Sequence, residues 1–242
     1  MGIPERRERE RLELRQRILD AARELFATRG YDAVTMREIA RRIEYSATAL
    51  YKHFADKETL VRELCRHDFD ALALRLLQVA QHGDPFERFS RVGLVYLDFA
   101  ARHPQHYRLM FMGGLPPTPP EAGERDDPQH NAYVFVRALV QNMLDAELLR
   151  PELTDADLVA QTTWAAVHGV AALELVLPNT EPWLEFRPKK QRFAAILELV
   201  GRSLARDPER AAATLARVLE ADAGEPWGLG SDVLPAKKKK GG

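Results

Sequence analysis

Apolar residues recur along this chain at helical spacing, and no alternating strand pattern of useful length accompanies them. Ile18, Ala22, Leu25 and Phe26 stand at i, i+4, i+7 and i+8. That stripe predicts an amphipathic helix of roughly 18 residues that closes at Gly30. Thr35 with Glu38 three residues on reads as a capping box, and Met36, Ile39, Ala40 and Ile43 supply the buried side of a short second helix. Ser46 caps a third short helix running to Phe54, with Leu50 and Phe54 inward. Asp56 with Thr59 opens a long fourth helix on which Val61, Cys65, Phe69, Leu72, Leu76 and Val79 share a stripe. Beyond Gly83-Asp84-Pro85 further helices are expected from Pro85 to about Arg102, from Pro104 through Phe111, from Asn131 to Leu148, from Thr154 to about Leu177, around Phe193 to Leu204, and from Pro208 to near Glu220. The fold class is therefore all-α. Five prolines and three glycines between Gly113 and Pro128 predict an exposed loop, and the Gly-, Pro- and Lys-rich tail from Ala221 a disordered segment.

Composition changes this picture only at the edges. At 242 residues, 45% of them hydrophobic, the chain has enough apolar surface for a core. A single cysteine, Cys65, excludes an internal disulfide framework. The longest apolar stretch, Leu158 to Leu173, is too short and too polar to span a bilayer, so no membrane partner is expected. The first ten residues are mostly Arg and Glu and resemble no leader, which makes a cytoplasmic protein the expectation. Net charge is −1, but residues 1–66 carry +3 and residues 67–242 carry −4. A mildly basic head on an acidic body is compatible with nucleic-acid binding and equally with none.

Two short helices joined by a tight turn have the spacing of a helix-turn-helix, whose second helix enters a major groove. With Leu50 and Phe54 inward, Ala47, Thr48, Tyr51, Lys52 and His53 occupy the outer and amino-terminal faces of the third helix. Small residues there let a backbone approach DNA, and hydroxyls, cations and helix N-termini suit phosphate oxygens.

The run Thr35-Met36-Arg37-Glu38-Ile39-Ala40, then Tyr45-Ser46-Ala47-Thr48-Ala49-Leu50-Tyr51-Lys52-His53-Phe54, then Asp56-Lys57-Glu58-Thr59-Leu60, resembles the DNA-binding domain of the tetracycline-repressor (TetR) family. The resemblance implies a flexible charged arm over residues 1–12, a three-helix DNA-binding domain over 13–60, a helical ligand-binding and dimerisation domain over 61–220, and a tail over 221–242. It implies a homodimeric regulator, most commonly a repressor, that binds a palindromic double-stranded operator, needs no cofactor and answers to a small-molecule effector. Thr35 and Ser46 would cap helices and bind phosphate, Arg37 would reach a base or phosphate, and Ala47 and Thr48 would meet base edges. Tyr45, Tyr51, Lys52, His53 and Lys57 complete the expected DNA-binding set. Taken singly, Tyr51 reads as well as a packing residue and Lys57 as a solvated one. The family's turn usually carries a glycine where Glu44 stands here, so that residue is expected to hold a strained left-handed conformation.

In the body, His103-Pro104…Tyr107-Arg108-Leu109-Met110-Phe111 and Trp164-Ala165-Ala166-Val167-His168-Gly169 resemble a subgroup marked by a Trp-His-Gly element. Val159, Thr162, Ala166, Gly169, Leu173 and Val176 form one helical stripe suited to a dimer interface with the Phe193 helix, or to an ordinary intrachain core. Tyr96, Phe99, Tyr107, Met110, Phe111, Phe135, Met143, Trp164 and His168 are the candidate lining of a pocket for a largely apolar effector, with His168 and Tyr107 as its polar groups. Structural core is the competing reading of the same residues. No phosphate loop, nucleophile elbow or His-Glu-x-x-His stands in the sequence, and Cys65, His67 and Asp70 fit a metal site only loosely, so no enzyme is expected. A helical adaptor without DNA binding would explain the helices but not the cluster from Thr35 to Lys57.

Overall fold

The computed structural model describes residues 3–79, 83–112, 126–128, 131–177 and 183–221. Residues 113–125 of the expected Gly113–Pro128 loop and the tail beyond Ala221, with its four lysines, lie outside the described residues. Among those described the helices are α1 (Ile3–Arg29), α2 (Met36–Arg42), α3 (Ala47–Tyr51), α4 (Lys57–Val79), α5 (Pro85–Arg102), α6 (Pro104–Met112), α7 (Ala132–Asp145), α8 (Ala156–Val176), α9 (Lys189–Leu204) and α10 (Pro208–Ala221). The chain divides into two compact units, residues 1–68 with 103–118 and residues 69–102 with 119–242. The first, the head, holds α1–α3, the start of α4, and α6; the second is the body.

The first helix begins at Ile3, not near residue 13. Residues 5–13 are all exposed, so apolar periodicity could not reveal the added turns. Arg6–Glu10 at i,i+4 and Glu8–Arg11 at i,i+3, each 2.8 Å apart, and a run of good helix formers hold them instead. Gly30 ends α1 at φ +80, its N–H donating to the Phe26 carbonyl at 2.9 Å.

The capping box of α2 forms as the sequence predicts. The Glu38 carboxylate accepts the Thr35 backbone N–H and hydroxyl at 2.8 Å each, while the Thr35 hydroxyl oxygen accepts the Glu38 N–H at 3.3 Å. Those bonds, with Arg29 at 2.8 Å, draw the Glu38 carboxyl down to about 2. Ser46 Oγ accepts the Ala49 N–H at 3.2 Å and starts α3, which spans five residues and stops at Tyr51, short of the expected Phe54. Phe26, Ile39, Leu50, Phe54 and Leu60 are at most 1% exposed and form the centre of the head. Each such side chain contributes about 1.5–3 kcal/mol by burial.

A buried carboxylate also joins three helices of the head. Asp68 on α4 is 1% exposed; its Oδ1 accepts from Arg23 Nη2 of α1 at 3.2 Å, and its Oδ2 lies 3.0 Å from His106 Nδ1 of α6.

In the body, α5 packs against α7, α8, α9 and α10, and successive helices from α7 onward pack in pairs. Gly93 lets α5 approach α9, because a Cβ there would overlap the Leu197 side chain. An isolated antiparallel bridge, Leu149 to Ala205, ties the end of α7 to that of α9. Asp155, rather than Thr154, caps α8; its Oδ1 accepts the Asp157 and Leu158 N–H groups at 2.9 and 3.1 Å.

Replacing Asp68 with Ala removes the buried partner of Arg23 and leaves it, among the described residues, only Asp20 at 3.8 Å. The expected cost is about 3–5 kcal/mol in urea unfolding, whereas Glu10→Ala at the exposed Arg6–Glu10 pair is expected to leave the midpoint nearly unchanged. Because the Glu38 carboxyl titrates near 2 instead of its ordinary 4.5, its contribution to stability is present above pH 4.5 and is lost as pH falls toward 2. A carboxyl-carbon NMR titration that placed its midpoint at 4 or above would contradict the capping box.

Candidate nucleic-acid interface

Burial sorts the expected DNA-binding residues cleanly. Met36, Ile39, Ala40, Ile43 and Leu50 are buried, whereas Thr35, Arg37, Tyr45, Ser46, Thr48, Tyr51 and Lys52 are exposed and Ala47, His53 and Lys57 are half-buried. Leu50 and Phe54 anchor α3 from beneath, which leaves Thr48, Tyr51 and Lys52 facing out.

Charge marks the same face. Many of the head's arginines are engaged by carboxylates: Arg15 by Glu63, Arg23 by Asp68, Arg29 by Glu38, Arg42 by Glu24 and Arg62 by Glu58. Arg37 and Lys52 are exposed and carry no ion pair among the described residues, and neither does Arg41, one helical turn after Arg37 on the same side of α2. Sequence reasoning missed Arg41. Its signal was the i, i+4 repeat of arginine opposite the apolar side of α2.

Three expected roles change with the geometry. The Thr35 hydroxyl donates to Glu38 and accepts from its N–H, so it has no free proton for a phosphate; the Ser46 hydroxyl keeps its own. Lys57 turns inward: its Nζ donates to the Tyr31 carbonyl at 2.5 Å and lies 3.9 Å from the centre of the Tyr31 ring, and burial lowers its pKa. Lys57 thus fastens the loop before α2 to the start of α4. His53 Nδ1 is buried without a partner, and burial, with Arg15 and Arg11 nearby, lowers the pKa of the ring. A neutral imidazole offers a hydrogen bond and no charge.

The candidate effector residues divide between the units. In the body the Trp164 indole N–H donates to the Tyr96 hydroxyl at 3.0 Å, and that hydroxyl lies 2.8 Å from His168 Nδ1. Burial lowers the His168 pKa, and Phe99, Phe135 and Met143 are buried in the same unit. Tyr107, Met110 and Phe111 fall in the head on α6, where Tyr107 is fully buried with its ring 4.7 Å from that of Phe111. His168 is engaged by Tyr96, so the two expected polar groups sit in different units. The Cys65 thiol is buried and pushed up to about 12, which leaves it an unreactive core residue.

The expected interface stripe on α8 splits. Val159 is buried, while Leu158 takes its place among the exposed residues with Thr162, Ala165, Leu173 and Val176. On α9, Ala195, Leu199 and Ser203 are exposed, and a Cβ built on Gly169 or Gly201 would meet nothing. No helix among the described residues is long and apolar enough to cross a membrane.

Comparison with known proteins agrees with this geometry. Residues 18–64 match the family model for bacterial regulatory proteins of the tetR family, and residues 89–185 match the tetracyclin repressor-like C-terminal domain. The HTH-type transcriptional repressor KstR2 of Mycobacterium tuberculosis is 32% identical over 163 residues, which cover 64% of this chain and 80% of that protein. KstR2 of Mycolicibacterium smegmatis is 30% identical over 168 residues, covering 64% and 78%. Among solved structures, a protein of unknown function from Rhodococcus sp. RHA1 superposes with a TM-score of 0.64 at 25% identity, covering 80% of this chain and 96% of that one. RolR in complex with resorcinol gives 0.58 at 20% identity, covering 86% and 96%. With both models matched in order and a repressor covered over four-fifths of its length, the chain belongs to the TetR family of helix-turn-helix transcriptional regulators, DNA-binding proteins and not enzymes.

Proposed function

We propose that the protein is a ligand-responsive repressor that binds a palindromic operator as a homodimer. The observation that carries the DNA face is the set of exposed, unpaired cations, Arg37, Arg41 and Lys52, around a five-residue α3 whose outward residues are small or hydroxylated. Arg37, Ala47 and Thr48 read base edges, while Ser46, Tyr45, Tyr51, Lys52 and His53 hold phosphates on either side of the groove. Thr35 and Lys57 act at one remove, by capping α2 and by fixing the loop before it. The helical adaptor is disfavoured because an adaptor has no use for three exposed cations left outside ion pairs, among the described residues, beside a helix-turn-helix.

The dimer rests on a different surface. Leu158, Leu173 and Val176 are 58, 49 and 62% exposed and share one side of α8 with Ala165 and Gly169, while Leu199, 67% exposed, shares one side of α9 with Ala195 and Ser203. Two copies packed through these helices form a four-helix interface, and the twofold axis sets two copies of α3 toward successive major grooves. The effector reading is supported by Tyr96, Trp164 and His168, a neutral hydrogen-bonded triad in the unit that also buries Phe99, Phe135 and Met143. With Trp164 41% exposed, the triad suits a small, mostly apolar molecule carrying one hydroxyl or carbonyl. RolR, of the same fold, is a protein that holds resorcinol. Continuous helix α4 runs from the head into the body and provides the path by which an effector biases the heads.

Replacing Lys52 or Arg41 with Ala is expected to weaken binding to every duplex alike and to reduce the slope of log K against log salt by about 0.9 for each phosphate lost. Thr48→Ala and Arg37→Ala are expected instead to alter the consensus in a selection from random duplexes. An unchanged slope for the first pair together with an unchanged consensus for the second overturns the assigned face. Leu199→Glu is expected to convert the protein to monomers in sedimentation and to cost most of its operator affinity. A Leu199→Glu protein that sediments as wild type places the dimer contact elsewhere.

A further inference from the structure

The turn between α2 and α3 is built on a left-handed residue that is not glycine. Glu44 has φ +62. Its N–H donates to the Arg41 carbonyl at 3.2 Å, and the Tyr45 N–H donates to the Ala40 carbonyl at 2.9 Å. This pair of bonds is a Schellman closure with glutamate at the position that glycine ordinarily fills. An L-residue with a Cβ disfavours that conformation. The two bonds satisfy the carbonyls of Ala40 and Arg41, which leaves the Ile43 carbonyl, next to the strained residue, in need of a donor.

Arg17 supplies it. Arg17 Nη2 of α1 donates to the Ile43 carbonyl at 3.1 Å, and the same guanidinium lies over the Tyr45 ring, 5.2 Å from its centre. One side chain thus holds both residues that flank Glu44. Arg17 makes no ion pair with a carboxylate among the described residues, so its charge is directed wholly at the C-terminal end of α2 and an aromatic face. Its base is rigid, since the next two residues, Ile18 and Leu19, are 0 and 1% exposed. Tyr45 in turn precedes Ser46, the cap of α3. We propose that Arg17 is a positioning residue for recognition: it clamps the Ile43-Glu44-Tyr45 turn in its left-handed conformation and thereby sets the angle at which α3 presents Ala47 and Thr48 to the base edges. The assignment rests on the DNA face proposed above.

The test uses the full-length protein and the duplex that wild type enriches from a random pool. Kd for that duplex and for a scrambled one is measured across a salt series by fluorescence anisotropy. Arg17→Ala is expected to weaken the selected duplex about tenfold, the scale of one charge-assisted hydrogen bond with its aromatic contact. It leaves the scrambled duplex and the salt slope unchanged, since no phosphate contact is lost. Arg17→Lys keeps the donor without the planar stacking and is expected to fall between the two. Adding Glu44→Gly to Arg17→Ala is expected to restore at least half of the lost discrimination, because glycine holds the turn without a clamp. Equal loss on both duplexes with a slope lowered by about one would make Arg17 a phosphate contact. A double variant no better than Arg17→Ala would remove the link to Glu44; either result overturns the clamp. If Arg17→Ala does not fold, Arg17→Lys with and without Glu44→Gly carries the same comparison. Failure of wild type to enrich any duplex counts against the DNA face and is distinct from all of these.

Discussion

A helix of five residues cannot hold itself together. Fixing its first turn costs conformational entropy that the few i→i−4 bonds of α3 do not return. The recognition helix therefore exists because its surroundings hold it: Ser46 closes its N-terminus, Leu50 and Phe54 sink into the head, and the turn before it is locked by the Schellman bonds of Glu44 and Tyr45. The rest of the head serves that end. Phe26 and Ile18 of α1 and Leu60 of α4 provide the floor, the capping box fixes α2, and Lys57 ties the approach to α2 onto the start of α4. Such a helix brings little rigidity of its own to the major groove, and its angle there is only as definite as these anchors make it.

What was legible in the sequence was local. Thr35 with Glu38, Ser46 three residues before Ala49, Asp56 before Thr59, and Gly30 after an apolar stripe each encode a bond within four residues, and each of those bonds forms. The left-handed Glu44 is expected from the resemblance alone, because the family's turn usually carries glycine where it stands. The elements that escaped were those without a local signal. Residues 5–13 of α1 have no buried side to announce them. Asp155 and Thr154 are both good caps, and only the path of the chain decides between them. On α8 the exposed stripe runs through Leu158 and not Val159, a choice set by which residue meets the neighbouring helices.

The candidate site shows the same division. That Thr48, Tyr51 and Lys52 face outward follows from the inward direction of Leu50 and Phe54, and burial agrees. That Lys57 faces inward does not follow from its neighbours, because its acceptor, the Tyr31 carbonyl, lies 26 residues away. Asp68 draws its partners from α1 and α6, at separations of 45 and 38 residues. Nothing in the spacing of an acidic residue on an amphipathic helix separates a buried hub from a surface charge. Arg17 is likewise an ordinary polar position on α1 until the carbonyl of Ile43 comes within reach.

The exposed face built on α2 and α3, with Arg37, Arg41 and Lys52 outside any ion pair among the described residues, is the surface proposed to meet DNA. A crystal structure of the protein with its selected duplex tests it most directly. The account expects α3 in the major groove, Ala47 and Thr48 against base edges, Arg41 and Lys52 within hydrogen-bond distance of phosphates, and Lys57 still turned to Tyr31. A duplex seated against any other face of the head, or α3 lying outside the groove with Lys52 in solvent, would contradict it.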